Sequence, residues 1–202
     1  MKRLFLISML LLLVAATMIA QGNNNARKIL DRTSAVVGNK GGATASFTLS
    51  GGKLGKQQGT IAIKGNRFYV QTTKTIVWFD GKTQWTYLKG GDEVNVSSPN
   101  AAQQQTMNPY TFIRLYRNGY NLTSKTKGKG YMVHLLAQNK RQGLQELYIT
   151  VDAKYRPTQV KMKQASGWIT IDIKNFKTAN LSDAKFKFNA KEFPKLEVID
   201  LR

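Results

Sequence analysis

Apolar and polar residues alternate along most of this chain, and the alternating runs are short. Ala43 to Leu49, Thr60 to Lys64, Arg67 to Thr72, Ile76 to Phe79, Thr83 to Leu88 and Glu93 to Ser97 form a first series. Tyr131 to Ala137, Gln145 to Val151, Thr158 to Gln164, Trp168 to Phe176 and Ala184 to Phe188 form a second. A period of two puts successive side chains on opposite faces of a strand. The pattern is cleanest at Ile61/Ile63, Phe68/Val70, Leu147/Ile149/Val151 and Ile169/Ile171/Ile173, where Asp172 and Lys174 take the opposite, wet face.

Turn chemistry links neighbouring runs. Asp80-Gly81 and Gly90-Gly91-Asp92 tolerate positive φ and sit between strand-like segments, which predicts antiparallel hairpins and a meander. Within it Trp85 and Tyr87 share one face and Gln84 and Thr86 the other, so the apolar side needs a cover. Two stretches carry the helical period instead. From Asn23 to Gly38, apolar residues at 26, 29, 30, 36 and 37 form one stripe, with an asparagine run as N-cap and Gly38 as terminator. Asn108-Pro109 opens a second stretch, with Phe112, Ile113, Leu115 and Tyr116 as its stripe before Gly119. This balance excludes an alternating α/β architecture. A single strongly bent sheet fits, with the two helices as natural covers for an apolar face that must otherwise close into a barrel or meet a second sheet.

The N-terminus changes the picture of where such a domain works. Lys2 and Arg3 precede an apolar run from Leu4 to about Ala20, and a polar Gln-Gly-Asn-Asn-Asn follows. At about 17 residues the run is marginal for spanning a bilayer, and the pattern is that of a secretory signal peptide over residues 1–20. The rest, 21–202, is then one domain with a sizeable core. The chain has no cysteine, which excludes a lipidated N-terminal cysteine, disulfides and thiolate chemistry, and the periplasm is the expected compartment.

Thirty-one basic residues oppose 11 acidic ones, a formal charge of +20, or +18 without Lys2 and Arg3. Such a surface attracts polyanions; export argues against nucleic acid and leaves anionic lipid or other envelope components. The alternative to a specific role is a solvated basic coat.

Candidate chemistry is sparse. His134 lies alone between Val133 and Leu135 in a strand, where a structural histidine outweighs a hydrolase residue. One histidine cannot build a multi-histidine zinc site, and the acids at Asp80, Asp92 and Glu93 belong to turns. Gly51-Gly52-Lys53 and Gly128-Lys129-Gly130 are incomplete as phosphate loops. The residues thus point away from an enzyme and call for no cofactor. What remains is apolar, either an ordinary filled core or a cavity that takes an acyl chain.

Several segments bear on that choice. Phe79-Asp80-Gly81-Lys82-Thr83-Gln84-Trp85-Thr86-Tyr87 resembles the Asp-Gly-Lys-Thr-x-Trp-x-Tyr segment of the periplasmic outer-membrane lipoprotein carriers, the LolA family. The early amphipathic helix leading to Ala45-Ser46-Phe47-Thr48, then Gln58-Gly59, Asn108-Pro109-Tyr110-Thr111-Phe112, Thr150-Val151-Asp152 and Asp183 to Phe188 agree in order and spacing. The likeness spans nearly the whole chain after the leader. It implies an incomplete antiparallel β-barrel of about 10–11 strands under amphipathic helices. It further implies a monomer that takes acylated lipoproteins from an inner-membrane release complex and hands them to an outer-membrane acceptor, touching membranes only transiently.

Face parity and the helix stripes nominate Ile29, Leu30, Phe47, Leu49, Ile61, Ile63, Phe68, Val70, Trp78, Trp85, Phe112 and Ile113 as the acyl-cavity lining. Where the family has an Arg-Pro pair whose arginine latches the lid, this chain has Gly65-Asn66, leaving Lys64 or Arg67 as the substitute latch. The competing reading is a non-enzymatic binding module for anionic lipid or envelope components.

Overall fold

The computed structural model describes residues 23–51, 55–100, 103–104, 113–140, 142–164 and 167–202. A helix, α1, occupies 23–37, and among the described residues twelve strands follow it. The first half holds β1 (Ala43–Gly51), β2 (Gln57–Lys64), β3 (Arg67–Thr72), β4 (Thr75–Phe79), β5 (Gln84–Leu88) and β6 (Glu93–Ser97). The second holds β7 (Tyr120–Lys127), β8 (Gly130–Ala137), β9 (Glu146–Val151), β10 (Pro157–Gln164), β11 (Gly167–Thr178) and β12 (Glu197–Asp200). They form a single curved sheet in the order β12-β6-β5-β4-β3-β2-β1-β11-β10-β9-β8-β7, open at both edges.

Hairpins make almost all of it. The β4–β5 turn shows why: Asp80 Oδ1 accepts from the backbone N–H groups of Lys82 at 3.0 Å and Thr83 at 2.8 Å, while Gly81 takes φ +102°. The one long-range antiparallel pairing is β1 with β11, which joins the two meanders. At the far edge β12 runs parallel to β6, so the sheet is not wholly antiparallel as expected.

Two strands were not anticipated. In β7 only Leu122 breaks a polar run after Tyr120, as suits an edge strand, and β12 is four residues long. Conversely, Ala184 to Phe188 is not a strand: Asp183–Phe186 is a 3-10 turn capped by Ser182, whose hydroxyl accepts from the Ala184 N–H. Its buried Phe186 fills space against the sheet without joining a ladder. The second expected helix is described only at its end, where 113–114 are helical and Leu115–Arg117 form a 3-10 turn. Its Asn108-Pro109 start, and residues 1–20, lie outside the described residues.

The sheet buries apolar residues on both faces, at different ends. Across the inner face lies α1, whose Ala26, Ile29 and Leu30 pack with Tyr116 and with inward residues of β7 to β10 such as Val133, Leu147 and Ile149. Further along the same stripe Val37 joins Ile63, Phe68, Phe79 and Ile113 over β2 to β4. On the outer face of β4 to β6, Ile76, Trp78, Val94 and Val96 are buried. There the aromatic C-terminal segment is the cover, with Phe188 and Phe193 edge-on to Trp78 at 5.5 and 5.6 Å.

Candidate apolar cavity

Between the two inner clusters the sheet is not filled. A cavity of about 310 Å³ opens over β1, β2, β3, β10 and β11, roofed by Val37 of α1 and by Ile113. Register explains its wall. In β1 the residues Phe47 and Leu49 point inward, β2 adds Ile61 and Ile63, and β3 adds Val70, which pairs directly with Ile61. Opposite them β10 contributes Val160 and Met162, and β11 contributes Ile169, Ile171 and Ile173. Among the described residues the wall carries no acid, base or histidine, and Thr44 and Gln164 are its main polar side chains.

One glycine shapes the floor. Gly59 pairs with Phe47, and a Cβ there would lie 2.8 Å from the Phe47 ring and 2.4 Å from the Gln71 carbonyl oxygen. The missing side chain is what lets the Phe47 ring lie against the strand.

Of the nominated residues, Phe47, Leu49, Ile61, Ile63, Val70 and Ile113 come together in this wall. Ile29 and Leu30 are on the lid helix but sit in the closed cluster over β7 to β10, with at most 4% of their surface exposed. Phe68 is packed on Phe79, ring centroids 5.2 Å apart, beside the cavity. The structure moves Trp78 and Trp85 to the outer face. They pair with each other across β4 and β5, and Trp78 meets Tyr69 and the C-terminal phenylalanines. Consequently Gln84 and Thr86 are the inward residues of β5, reversing the expected wet side; Gln84 is 7% exposed. Phe112 lies outside the described residues. The β10 and β11 lining was not nominated, although the alternation of Ile169, Ile171 and Ile173 was the available signal.

The expected latch also joins different elements. Lys64 Nζ donates to the Leu181 carbonyl at 2.7 Å and to Asp183 Oδ1 at 2.9 Å, and Arg67 meets the same carboxylate. These two cations fasten the C-terminal segment to the β2–β3 turn. Hydrogen bonds from Lys64 and then Arg67 hold the Asp183 carboxyl below the usual carboxylate range. The polar ties of α1 are elsewhere: Tyr116 donates its hydroxyl to Asp31, and Arg32 donates to the Tyr155 hydroxyl, with its guanidinium 5.0 Å from the Tyr155 ring centre. Burial pushes the Tyr116 phenol up, and the Asp31 carboxylate pushes it further.

His134 is on the outer face, away from the cavity. Its ring stacks on Tyr148 at 4.4 Å, and Nε2 lies 3.0 Å from Glu146 Oε1, which also accepts from the Tyr148 hydroxyl at 2.8 Å. The tyrosine bond, followed by the histidine, lowers the Glu146 pKa. Glu146 Oε1 thus ties His134 to Tyr148, as in a structural cross-strand cluster.

An open curved sheet with a helix laid over an apolar cavity is the LolA-like arrangement. The family model described as "Outer membrane lipoprotein carrier protein LolA" matches residues 16–167, and the chain belongs to that family. Among solved structures, an uncharacterised conserved protein from Thermus thermophilus shares the fold at TM-score 0.59 and 16% identity, over 87% of this chain and 99% of that one. A LolA superfamily protein from Nitrosomonas europaea aligns at TM-score 0.45 and 11% identity, over 81% and 97% of the two chains. A domain from Vibrio parahaemolyticus described as a putative outer membrane lipoprotein-sorting protein aligns at 0.41 and 12%, over 86% and 99%. No match is found among curated protein sequences.

Proposed function

We propose that this protein is a periplasmic carrier that holds the acyl chains of lipoproteins in the cavity and passes them from the inner to the outer membrane without a chemical step. The observation that carries the reading is the wall itself: about 310 Å³ of space enclosed by strand residues that are almost all aliphatic or aromatic. That is at the lower end of the roughly 300–1,000 Å³ typical of ligand pockets.

Transfer demands reversible capture. Burying acyl methylenes yields about 0.8 kcal/mol each, so a long chain in a preformed dry slot would not leave again. A movable roof offsets that gain. Raising α1 exposes Val37 and breaks the Asp31–Tyr116 and Arg32–Tyr155 ties, and this opening cost is subtracted from the acyl affinity. Family membership supports this cargo class, and the apolar run from Leu4 to about Ala20 with the absence of cysteine supports an exported, unlipidated form.

The test is photo-crosslinking in cells from a photoreactive residue at Phe47, with a second at Trp85 on the outer face as control. Acylated lipoproteins are expected to be captured from position 47 and not from 85. Absence of lipoprotein adducts at 47 sinks the reading.

A further inference from the structure

The outer face of the sheet is treated differently at its two ends. Over β4 to β6 the chain covers its own apolar residues with Phe188 and Phe193. Over β8 to β11 no described segment lies on it, and Trp168 and Leu136 remain 38% and 46% exposed. Both are near the same end of their strands: Trp168 pairs with Lys163, Lys163 with Glu146, and Glu146 with Leu136, so the four form one row across the sheet. In the next row Lys161 sets its ammonium 5.6 Å from the centre of the Trp168 ring, beside Tyr148. The row's only acid, Glu146, is already engaged by His134 and Tyr148. Lys163 acts on Glu146 only through space, and neither Lys161 nor Lys163 makes a salt bridge among the described residues.

We infer that this patch rests on an anionic phospholipid surface. Its chemistry fits that occupant better than a protein groove. Two separated apolar side chains among exposed lysines make no continuous apolar patch, yet an indole flanked by ammonium groups suits the headgroup layer, where ring and charge each find a partner. The chain's net charge of +20 attracts the whole molecule to such a surface, and the patch gives it an orientation.

Placement adds a consequence. The β10–β11 hairpin that turns Lys163 and Trp168 outward also turns Met162, Gln164 and Ile169 into the cavity wall, so the docked bilayer lies one sheet thickness from the cavity's end.

Vesicle flotation tests this on the soluble protein purified from the cell envelope, freed of lipid. The probes are phosphatidylcholine vesicles with and without 30 mol% phosphatidylglycerol, a composition chosen on the order of an anionic leaflet. Binding is expected only to the anionic vesicles and should weaken with salt. A lysine near such a surface is worth roughly fivefold in partition, so Lys161→Glu with Lys163→Glu should cost at least about 20-fold. The same charge change at Lys40→Glu with Lys82→Glu, in turns at the other end of the sheet, should cost far less. Quenching of tryptophan fluorescence by brominated lipid should disappear in Trp168→Phe, which keeps the ring bulk and the fold.

Equal loss in the two charge-reversal pairs, quenching that survives Trp168→Phe, or binding to soluble acidic polysaccharide with none to vesicles would each overturn the inference. Lipoprotein capture at position 47 is a separate readout, so either idea can fail alone.

Discussion

Phe47 and Leu30 illustrate how two apolar residues with the same sequence signature come to do different work. Leu30, on the sheet-facing side of α1, is fully buried at 0% exposure, whereas Phe47 is half-buried in the cavity wall. Leu30→Ala should therefore destabilise the fold by about 3 kcal/mol through the cavity it leaves. Phe47→Ala should cost less stability but a larger share of acyl affinity, and denaturant melts run beside fatty-acyl binding separate the two effects. Gly59→Ala should do both, destabilising by about 1–3 kcal/mol because the new methyl meets the Gln71 carbonyl and displaces the Phe47 ring. Periodicity marked Leu30 and Phe47 as apolar-face positions, but only packing distinguishes a wall that faces space from one that faces a helix.

At the level of elements, the C-terminal segment decides what the outer face looks like. It is held by aromatic packing on Trp78 and by the Lys64 and Arg67 bonds to Asp183. Because the Asp183 pKa is lowered in the folded state, its ionised form stabilises the docked segment. That contribution is present above the ordinary carboxylate pKa of about 4 and is lost as pH falls through the lower folded value. Hydrogen exchange corrected for its intrinsic pH dependence should show residues 183–193 opening more readily at pH 3 than at pH 7, with α1 little changed. Lys64→Ala should loosen the same segment at pH 7, since it removes the bond to the Leu181 carbonyl as well as the ion pair. The Phe-Lys-Phe alternation at 186 to 188 reads as a strand because period two is a local signal. It cannot report that Phe186 is used as a plug.

For the whole molecule, the proposed acyl binding couples occupancy to stability. A ligand that binds only the folded state at 100 times its Kd stabilises by about 2.7 kcal/mol, which for a domain of this size raises Tm by roughly 5–10 °C. Titrating lipid-free protein with a long-chain acyl ligand and following thermal unfolding should give a shift of that order, and Phe47→Ala should shrink it. No comparable shift is expected from a short-chain acid, which leaves most of the wall wet.

Most of the strands, the hairpin turns and the lid helix were written locally. Asp80-Gly81, the alternation from β1 to β6 and from β8 to β11, and the stripe of α1 each depend on neighbours a few residues away, and backbone geometry converts those patterns directly into elements. The side each strand turns to the core was not local. Alternation defines two faces without saying which is covered, so Trp78 and Trp85 looked like cavity residues until the chain's last twenty residues returned to cover the outer face. Likewise Lys64 and Arg67 were legible as cations beside a turn, but their partner lies more than 100 residues away in sequence. The amino-acid pattern by itself determined an apolar-faced curved sheet with a helical cover. Only the tertiary structure decided where that face stays empty, because a cavity is defined by what long-range packing leaves unfilled.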